Sequence, residues 1–287
     1  MPEFDLVIHG GSLVTHESIT LSDIAIRDGV IAAWGNNLVG KETIDASGLL
    51  VVPGGVDPHV HLQMPTPSTV TSDDWNSGTL AAAYGGTTTV IDFVEPAHGQ
   101  SLQEALIQRK AEADAATWLD YGLHMTITNI SGETLAQLPD ILQEGVTSYK
   151  VYTTYEGMKL DYESIAIVMQ KIAAVNGICM VHAEDDLKIQ FATQNLIQMG
   201  KITPQWFPQS RPAVAEIEAV NQCLVIAQRA GVYLYLVHLS TSAAIQAVAH
   251  AREKNSNVIA ETCPQYLLLD QNMLLNGNAI EAAKLIC

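Results

Sequence analysis

After Pro53 the chain alternates between apolar runs of strand length and longer stretches with a helical period. No other feature of the sequence limits the fold as strongly, because such alternation predicts βα units on a parallel sheet. Helix-start signals fall between the runs: a capping box formed by Ser101 and Glu104, a capping Asp161, and Pro212. The strand candidates are residues 50–62, 87–93, 121–128, 148–154, 178–183, 232–239 and 257–263.

Seven such units resemble a TIM-like (β/α)8 barrel that stops before its eighth strand, and a doubly wound sheet is the alternative. The first part of the chain differs, because residues 3–50 hold short alternating runs broken by Gly and Asp pairs. This pattern predicts hairpin strands and a small β-sandwich. We therefore predict an α/β protein with two domains: residues 1–50 form part of a β-sandwich, and residues 51–287 form an incomplete barrel.

The charge balance limits the partners of this chain. It has 14 Lys and Arg residues and 31 Asp and Glu residues, which gives a formal net charge of −17. This charge opposes approach to a phosphate backbone or an anionic lipid surface, so we expect neither nucleic acid nor membrane partners. We find no signal-peptide pattern and no apolar run of membrane-spanning length. Four cysteines without Cys-x-x-Cys spacing are typical of a reducing compartment, so we expect a cytoplasmic protein.

Histidines follow three of the predicted strands. His59 and His61 stand two positions apart at the end of the first strand, where alternation points both side chains the same way, as two ligands of one metal must point. His182 and His238 end two later strands. Because the carboxyl ends of parallel barrel strands converge, the four imidazoles can surround a single point. The sequence therefore indicates a metal site at this end of the sheet.

A lysine lies within the fourth predicted strand, among residues that favour β-structure. The buried amine of Lys150 must find a partner or lose its charge, and the sequence leaves a Schiff-base lysine, an ion pair and a snorkelling side chain open. Glu184 and Asp185 follow a candidate ligand and can orient it, although a solvated loop is an equal alternative. Structural or solvated roles are expected for the remaining histidines, namely His9, His16, His98, His124 and His250.

Seven segments together carry a family resemblance: residues 53–65 (PGGVDPHVHLQMP), 86–93 (GTTTVIDF), 120–125 (DYGLHM), 148–152 (SYKVY), 181–184 (VHAE), 237–240 (VHLS) and 261–266 (ETCPQY). They resemble the amidohydrolase superfamily and, within it, the dihydropyrimidinase and hydantoinase family of cyclic-amide hydrolases. The resemblance runs in order along essentially the whole chain. It implies a metal-dependent hydrolase barrel flanked by a β-sandwich, with two divalent ions, usually zinc, at the barrel mouth.

The resemblance also implies roles for single residues. His59 and His61 match the ligands of one ion, and His182 and His238 match the ligands of the other. Lys150 matches the lysine that in this family is carboxylated on its amine and bridges both ions. A metal-bound hydroxide then opens the ring of a cyclic amide to give an N-carbamoyl amino acid.

Tyr155 matches the tyrosine that contacts the substrate and steadies the oxyanion, and packing at the rim is the alternative. Dihydroorotase normally places an arginine two positions after the second histidine to hold its substrate's carboxylate. Here that position is Gln63, which favours a neutral ring such as a 5,6-dihydropyrimidine or a hydantoin. Allantoinase, whose substrate is also an uncharged cyclic ureide, stays an alternative.

The family's remaining ligand is an aspartate on the eighth strand, which would fall beyond Cys287. From this departure we expect poor stability and little hydrolysis if the 287 residues are the whole polypeptide. The family usually forms homotetramers. Two alternatives to an enzyme stay open: a non-catalytic scaffold like the dihydropyrimidinase-related proteins, against which the retained metal-site residues argue, and an inactive shortened product.

Overall fold

The computed structural model describes residues 4–66, 69–254, 257–276 and 278–286. The chain divides into two compact units: residues 1–57 with 82–89 form the first, and residues 58–81 with 90–287 form the second. The predicted domain boundary between residues 50 and 51 stays a prediction.

Two small sheets are built from the first seven strands. One has the order β5-β4-β1-β6 and the other the order β3-β2-β7. Phe4, Val7 and Ala25 form a small core, in keeping with the predicted N-terminal β-segment. The strands are β1 (Phe4–His9), β2 (Ser12–Val14), β3 (Ile19–Leu21), β4 (Asp23–Arg27), β5 (Val30–Gly35), β6 (Gly40–Asp45) and β7 (Leu50–Val51).

The first strand candidate, residues 50–62, was wrong as a single strand. Leu50–Val51 pairs with β2, and only Gly55–Asp57, named β8, joins the large sheet. The break coincides with Pro53 and Gly54. Proline lacks the N–H that a strand ladder needs, and a side chain on Gly54 would lie 2.2 Å from the Thr88 side chain.

A seven-stranded sheet carries most of the candidate site residues on its strands or directly after them. Its strands lie in chain order from β8 to β14, and the pairs from β10 to β14 are parallel. A doubly wound sheet reverses its strand order, so that alternative was wrong and the parallel half of a barrel is what the chain forms. The other six strand candidates are confirmed as β9 (Thr87–Val94), β10 (Asp120–Thr126), β11 (Ser148–Tyr152), β12 (Ile178–His182), β13 (Tyr233–Leu236) and β14 (Val258–Ala260).

Helices separate these strands, and the predicted end signals are confirmed. The Ser101 hydroxyl accepts from the Glu104 N–H at 3.2 Å while Glu104 accepts from the Ser101 N–H at 3.1 Å, and Asp161 accepts from the Ser164 N–H at 2.8 Å. The helices are α1 (Trp75–Tyr84), α2 (Leu102–Ala116), α3 (Gly132–Ala136), α4 (Leu138–Gln143), α5 (Tyr162–Ala174), α6 (Asp186–Gln198), α7 (Phe207–Ser210), α8 (Ala213–Ala230), α9 (Ser242–Lys254), α10 (Gln271–Asn276) and α11 (Ala279–Ala283).

The side chains buried on the large sheet are mostly apolar. Met125, Val151, Met180 and Leu234 are fully buried, whereas Lys150 lies among them as a charged side chain. Burying an ionisable group is costly unless it has partners, so its position in the sheet points to a function. None of the helices within the described ranges is both long enough and apolar enough to cross a membrane.

Candidate metal centre

His59 and His61 lie in an irregular segment that follows β8, and the prediction that they end a strand was wrong. The segment still holds them side by side, because the Val60 N–H between them donates to the Ile91 carbonyl at 3.1 Å. Their Nε2 atoms are 3.3 Å apart. We call His59 and His61 the first pair.

Side chains from other elements hold this segment at both of its ends. The His124 Nε2–H donates to the Pro58 carbonyl at 2.9 Å before the first pair. After the first pair, the Leu62 N–H donates to Asp92 Oδ2 at 2.8 Å, and the Leu62 carbonyl accepts from Arg109. Arg109 also binds Asp92 at 2.9 Å. The irregular backbone around the first pair is therefore fixed by distant residues.

His182 and His238, which we call the second pair, come from neighbouring strands. His182 is the last residue of β12, and His238 stands two residues beyond β13 with a φ of 38°. The Nδ1 atom of His182 and the Nε2 atom of His238 are 2.9 Å apart. The ring centres of His59 and His238 are 5.5 Å apart, so the two pairs lie against each other.

Lys150 lies at the centre of β11 and is only 1% exposed, which excludes the snorkelling interpretation. Its Nζ atom is 4.9 Å from the centre of the Phe93 ring and 5.0 Å from that of Tyr152. Burial lowers the pKa of the Lys150 amine to about 7, and the charges of Glu261 and Glu95 oppose that shift. A large part of this amine is therefore uncharged near neutral pH.

Burial also keeps the imidazoles neutral. It lowers the pKa of His61 to about 3 and that of His238 to about 2, with the neighbouring imidazole and Lys150 adding to the shift. It lowers the pKa of His182 well below its ordinary value. Neutral imidazole is the form that binds a metal ion.

Two carboxylates set the direction of the ring lone pairs. Glu261 binds the Nδ1 side of His59, and Glu184 binds Nε2 of His182 at 2.7 Å. Because a carboxylate accepts, each of these ring nitrogens carries the hydrogen, and the opposite nitrogen of each ring turns its lone pair toward the other histidine of its pair.

The donor set fits divalent ions. Two imidazole ligands of one tetrahedral zinc ion lie about 3.3–3.4 Å apart at bond lengths of about 2.0–2.1 Å. The Nε2 atoms of the first pair show this separation, and Nδ1 of His61 is buried without a hydrogen-bond partner among the described residues. Within those residues, no three His, Cys, Asp or Glu side chains are grouped as a metal site. Each imidazole pair therefore needs further donors to complete a coordination shell.

Glu261 is the site residue to which sequence reasoning gave no role. Beside its contact with His59, it accepts from the Tyr235 hydroxyl at 2.5 Å and from the His238 N–H at 3.3 Å. Burial favours a higher pKa for Glu261, but the hydrogen bond and electrostatic interaction with His59, together with the bonds from Tyr235 and the His238 N–H, lower it. The signal for Glu261 was its place directly after the last strand, which is also where the histidines occur.

Glu184 contacts His182 as the orienting interpretation predicted, and it also binds Arg211. Burial raises the pKa of Glu184, and Arg211 opposes the increase. Asp185 has a different role, because it caps helix α6 by accepting from the Lys188 N–H at 3.0 Å. The orienting interpretation therefore holds for Glu184 alone.

Tyr155 lies beside the second pair. Its ring centre is 4.9 Å from that of His182, and the guanidinium of Arg211 stands 4.9 Å from the Tyr155 ring. The residue is 39% exposed and has a φ of 79°. Tyr155 therefore belongs to the rim of the site, partly open to solvent.

Two further histidines, His124 and His98, were expected to have structural or solvated roles. His124 is buried and bonded on both ring nitrogens, to the Pro58 carbonyl and to the Ser148 hydroxyl at 2.5 Å. His98 is exposed in a turn after β9. All five predicted metal-site residues and Tyr155 thus lie in the second unit.

A model of the amidohydrolase family matches residues 50–287. The chain belongs to the amidohydrolase family. Members of this family generally depend on metal ions, and the imidazole pairs of this amidohydrolase supply donors that suit such ions.

Comparison with individual proteins shows which members of the family this chain resembles. A D-hydantoinase of Geobacillus stearothermophilus is 40% identical over 284 residues, which cover 98% of this chain and 60% of that protein. Dihydropyrimidinase 1 of Caenorhabditis briggsae is 36% identical over 289 residues, covering 98% of this chain and 59% of that protein. The solved D-hydantoinase of Bacillus sp. AR9 matches with a TM-score of 0.94 at 37% identity, covering 98% of this chain and 62% of that one.

These matches confirm the predicted resemblance to hydantoinases and dihydropyrimidinases, together with the α/β fold of that group. This amidohydrolase chain spans about three fifths of the length of the relatives it matches.

Proposed function

We propose that this chain belongs to a metal-dependent hydrolase of neutral cyclic amides, with two divalent ions, zinc by preference, as cofactors. The observation that carries the proposal is the meeting of the two imidazole pairs beside the buried amine of Lys150. The names of the similar proteins support the same activity. A solvated or purely structural histidine does not explain two pairs with nitrogens at 3.3 and 2.9 Å.

In this proposal the first pair holds one ion and the second pair holds the other. When bound, such ions supply a hydroxide at neutral pH and polarise an amide carbonyl. The chain's own contribution is orientation: Glu261 fixes the ring of His59, and Glu184 fixes the ring of His182. The buried surroundings strengthen each of these electrostatic contacts.

We also propose that Lys150 is carboxylated. An uncharged amine adds carbon dioxide to form a carbamate and releases one proton, and the lowered pKa of Lys150 favours the uncharged amine. The product is an anion, which suits a position between two cations. This modification also supplies the further donors that the imidazole pairs need.

Tyr155 is the proposed substrate-binding and catalytic residue at the rim. Its place beside His182 suits a hydroxyl that donates to the oxygen on which negative charge develops during attack. Gln63 in place of an arginine favours an uncharged ring, so the proposed substrates are dihydropyrimidines or hydantoins and the product an N-carbamoyl amino acid. A (β/α)8 barrel, a flanking β-sandwich, a homotetramer and a cytoplasmic location belong to the same proposal.

The test combines metal analysis with turnover on the purified protein that contains this chain. We expect two divalent ions per chain and hydrolysis of dihydrouracil or hydantoin. His59→Asn and His182→Asn should each remove metal and activity, whereas His250→Asn, at an exposed position, should change neither. Bound metal without turnover of either ring would reject the substrate class, and a metal-free protein would reject the whole proposal.

A further inference from the structure

Tyr155 adopts a backbone conformation that a bulky residue rarely takes. Its φ of 79° lies in the left-handed region, where the side chain crowds its own backbone. Such conformations persist only where the surrounding structure fixes them, and they are common at functional sites. The segment on both sides of Tyr155 must therefore be held in place.

Asp186 provides that restraint with both oxygens of one carboxylate. Its Oδ1 atom accepts from the Thr154 hydroxyl at 2.7 Å, directly before Tyr155. Its Oδ2 atom accepts from Lys159 Nζ at 2.6 Å, four residues after Tyr155. One side chain thus joins the two ends of the strained segment 154–159.

Helix α6 holds the Asp186 carboxylate in place. Asp186 is the first residue of helix α6, where the free N–H groups of the helix favour a negative charge. Gln190 on the next turn donates to Oδ2 at 2.6 Å. The helix end itself is capped by Asp185, so a change at Asp186 need not open the helix.

The rest of the segment shows what this restraint holds. The Met158 and Lys159 N–H groups both donate to the Tyr155 carbonyl, at 3.1 and 2.9 Å, and the Leu160 N–H donates to the Tyr152 carbonyl at 2.9 Å. These bonds form one tight turn whose apex presents the Tyr155 ring to His182. Releasing either end should therefore let the left-handed residue relax and displace the Tyr155 ring.

We propose that Asp186 is a positioning residue that holds Tyr155 against the second pair. This inference rests on the proposed function, in which the Tyr155 hydroxyl stabilises the reacting oxygen. Asp186 lies too far along the chain from Tyr155 for sequence spacing to connect them, and it touches none of the four metal-site histidines in the contacts described above. We therefore expect its effect on hydrolysis to pass through Tyr155.

A double-mutant cycle tests this route. Asp186→Ala should lower kcat by roughly ten- to a hundredfold with little change in KM, since a small displacement of a catalytic group costs about this much. In the Tyr155→Phe background the same substitution should change kcat by less than about twofold, because the group it positions has gone. An equal loss in both backgrounds would overturn the proposal.

Matched variants separate positioning from simple damage. Asp185→Ala removes the cap of the same helix but touches neither end of the segment, so it should leave kcat unchanged. Lys159→Met releases one end only, and we expect a smaller loss of kcat than with Asp186→Ala. A similar loss in Asp185→Ala would mean that helix α6, rather than the Asp186 carboxylate, is responsible.

Hydrogen exchange gives a reading that needs no substrate. In the metal-loaded protein, Asp186→Ala should speed exchange of the Met158, Lys159 and Leu160 amides at least tenfold, and Asp185→Ala should not. Unchanged exchange in Asp186→Ala would overturn the restraint even if the enzyme is active. If the protein hydrolyses no cyclic amide, the proposed function fails, and exchange alone then decides whether Asp186 holds the segment.

Discussion

The two imidazole pairs are built in opposite ways. The first pair, His59 and His61, stands on an irregular segment whose position depends on side chains from elsewhere: His124, Asp92 and Arg109. In the second pair, His182 ends a strand whose backbone ladder fixes it directly, and His238 follows shortly after the neighbouring strand. The two pairs therefore have similar nitrogen–nitrogen distances for different reasons. Side-chain hydrogen bonds hold the first pair, and strand pairing in the sheet largely holds the second.

The difference shows where each pair is vulnerable. The geometry of the first pair depends on a buried network that single substitutions can remove, whereas that of the second depends mainly on backbone pairing. Each pair nevertheless has one carboxylate on a ring nitrogen, Glu261 in the first and Glu184 in the second. The predictions below separate what the pairs share from what belongs to each.

The largest effect is expected at Lys150, which in the proposed function bridges the ions of both pairs. Lys150→Met should remove both ions and lower turnover by about a thousandfold, since metal ions supply several kcal/mol of transition-state stabilisation and each ~1.4 kcal/mol is tenfold. Elemental analysis and initial rates measure the two losses. Lys171→Met, at an exposed position on α5, is the matched control and should keep both ions. Retention of two ions in Lys150→Met would show that the pairs do not depend on a common bridge.

The next effect should fall on the first pair alone. Asp92→Ala removes one of the two carboxylates that bind the buried Arg109 guanidinium and leaves Glu112 as the other, which should cost about 1.5–3 kcal/mol of unfolding free energy. It also frees the Leu62 N–H, so the ion of the first pair should bind more weakly while that of the second is retained. Urea unfolding and metal analysis measure both effects. Glu144→Ala, which breaks an exposed pair with Lys110, should cost no more than ~1 kcal/mol.

The two orienting carboxylates should show which ion each one supports. Glu261→Gln and Glu184→Gln each weaken one hydrogen bond to a ring nitrogen, which typically lowers metal affinity by about 10- to 100-fold. We expect Glu184→Gln to weaken only the ion of the second pair and Glu261→Gln mainly that of the first. Competition with a chelator resolves two binding steps. Equal weakening of both steps in both variants would mean that the pairs act as one unit.

The smallest effect concerns His124, which supports the start of the first pair's segment. Burial is the main cause that lowers its pKa to about 4, below the ordinary value of 6.5. The unfolded chain therefore binds this proton first, and stability is lost as the pH falls from about 6.5 toward 4. His124→Asn should reduce the loss between pH 8 and pH 5.5 by about 1.4 kcal/mol. Urea unfolding at the two pH values measures it, and an unchanged pH slope would contradict the prediction.

Much of the fold was readable because periodicity and capping are local. The Ser101 box and the Asp161 cap appear where their residues stand in the sequence, and six of the seven strand candidates became strands. The candidate at residues 50–62 was wrong because the apolar run continues through Pro53 and Gly54. At these two residues the backbone ends one strand before the next begins.

Only part of the candidate site could be predicted from the sequence. The spacing of His59 and His61 is visible in the sequence, and the rhythm of the strands brings His182 and His238 to the same end of the sheet. The bonds from Glu261 to His59 and from Asp186 to Thr154 join residues 202 and 32 positions apart. No local pattern predicts such contacts, because they arise only when strands and helices have packed.

Because Lys150 is deeply buried, chemical modification of its amine can show whether the chain is folded. Burial lowers the pKa of this amine only in the folded protein, so in an open chain Lys150 should react with acylating reagents as readily as any other lysine. In the folded protein the surrounding sheet shuts out a bulky anhydride, while a molecule as small and uncharged as carbon dioxide needs far less room. Acetylation at position 150 would therefore report chains that had opened, and a brief labelling pulse would count them.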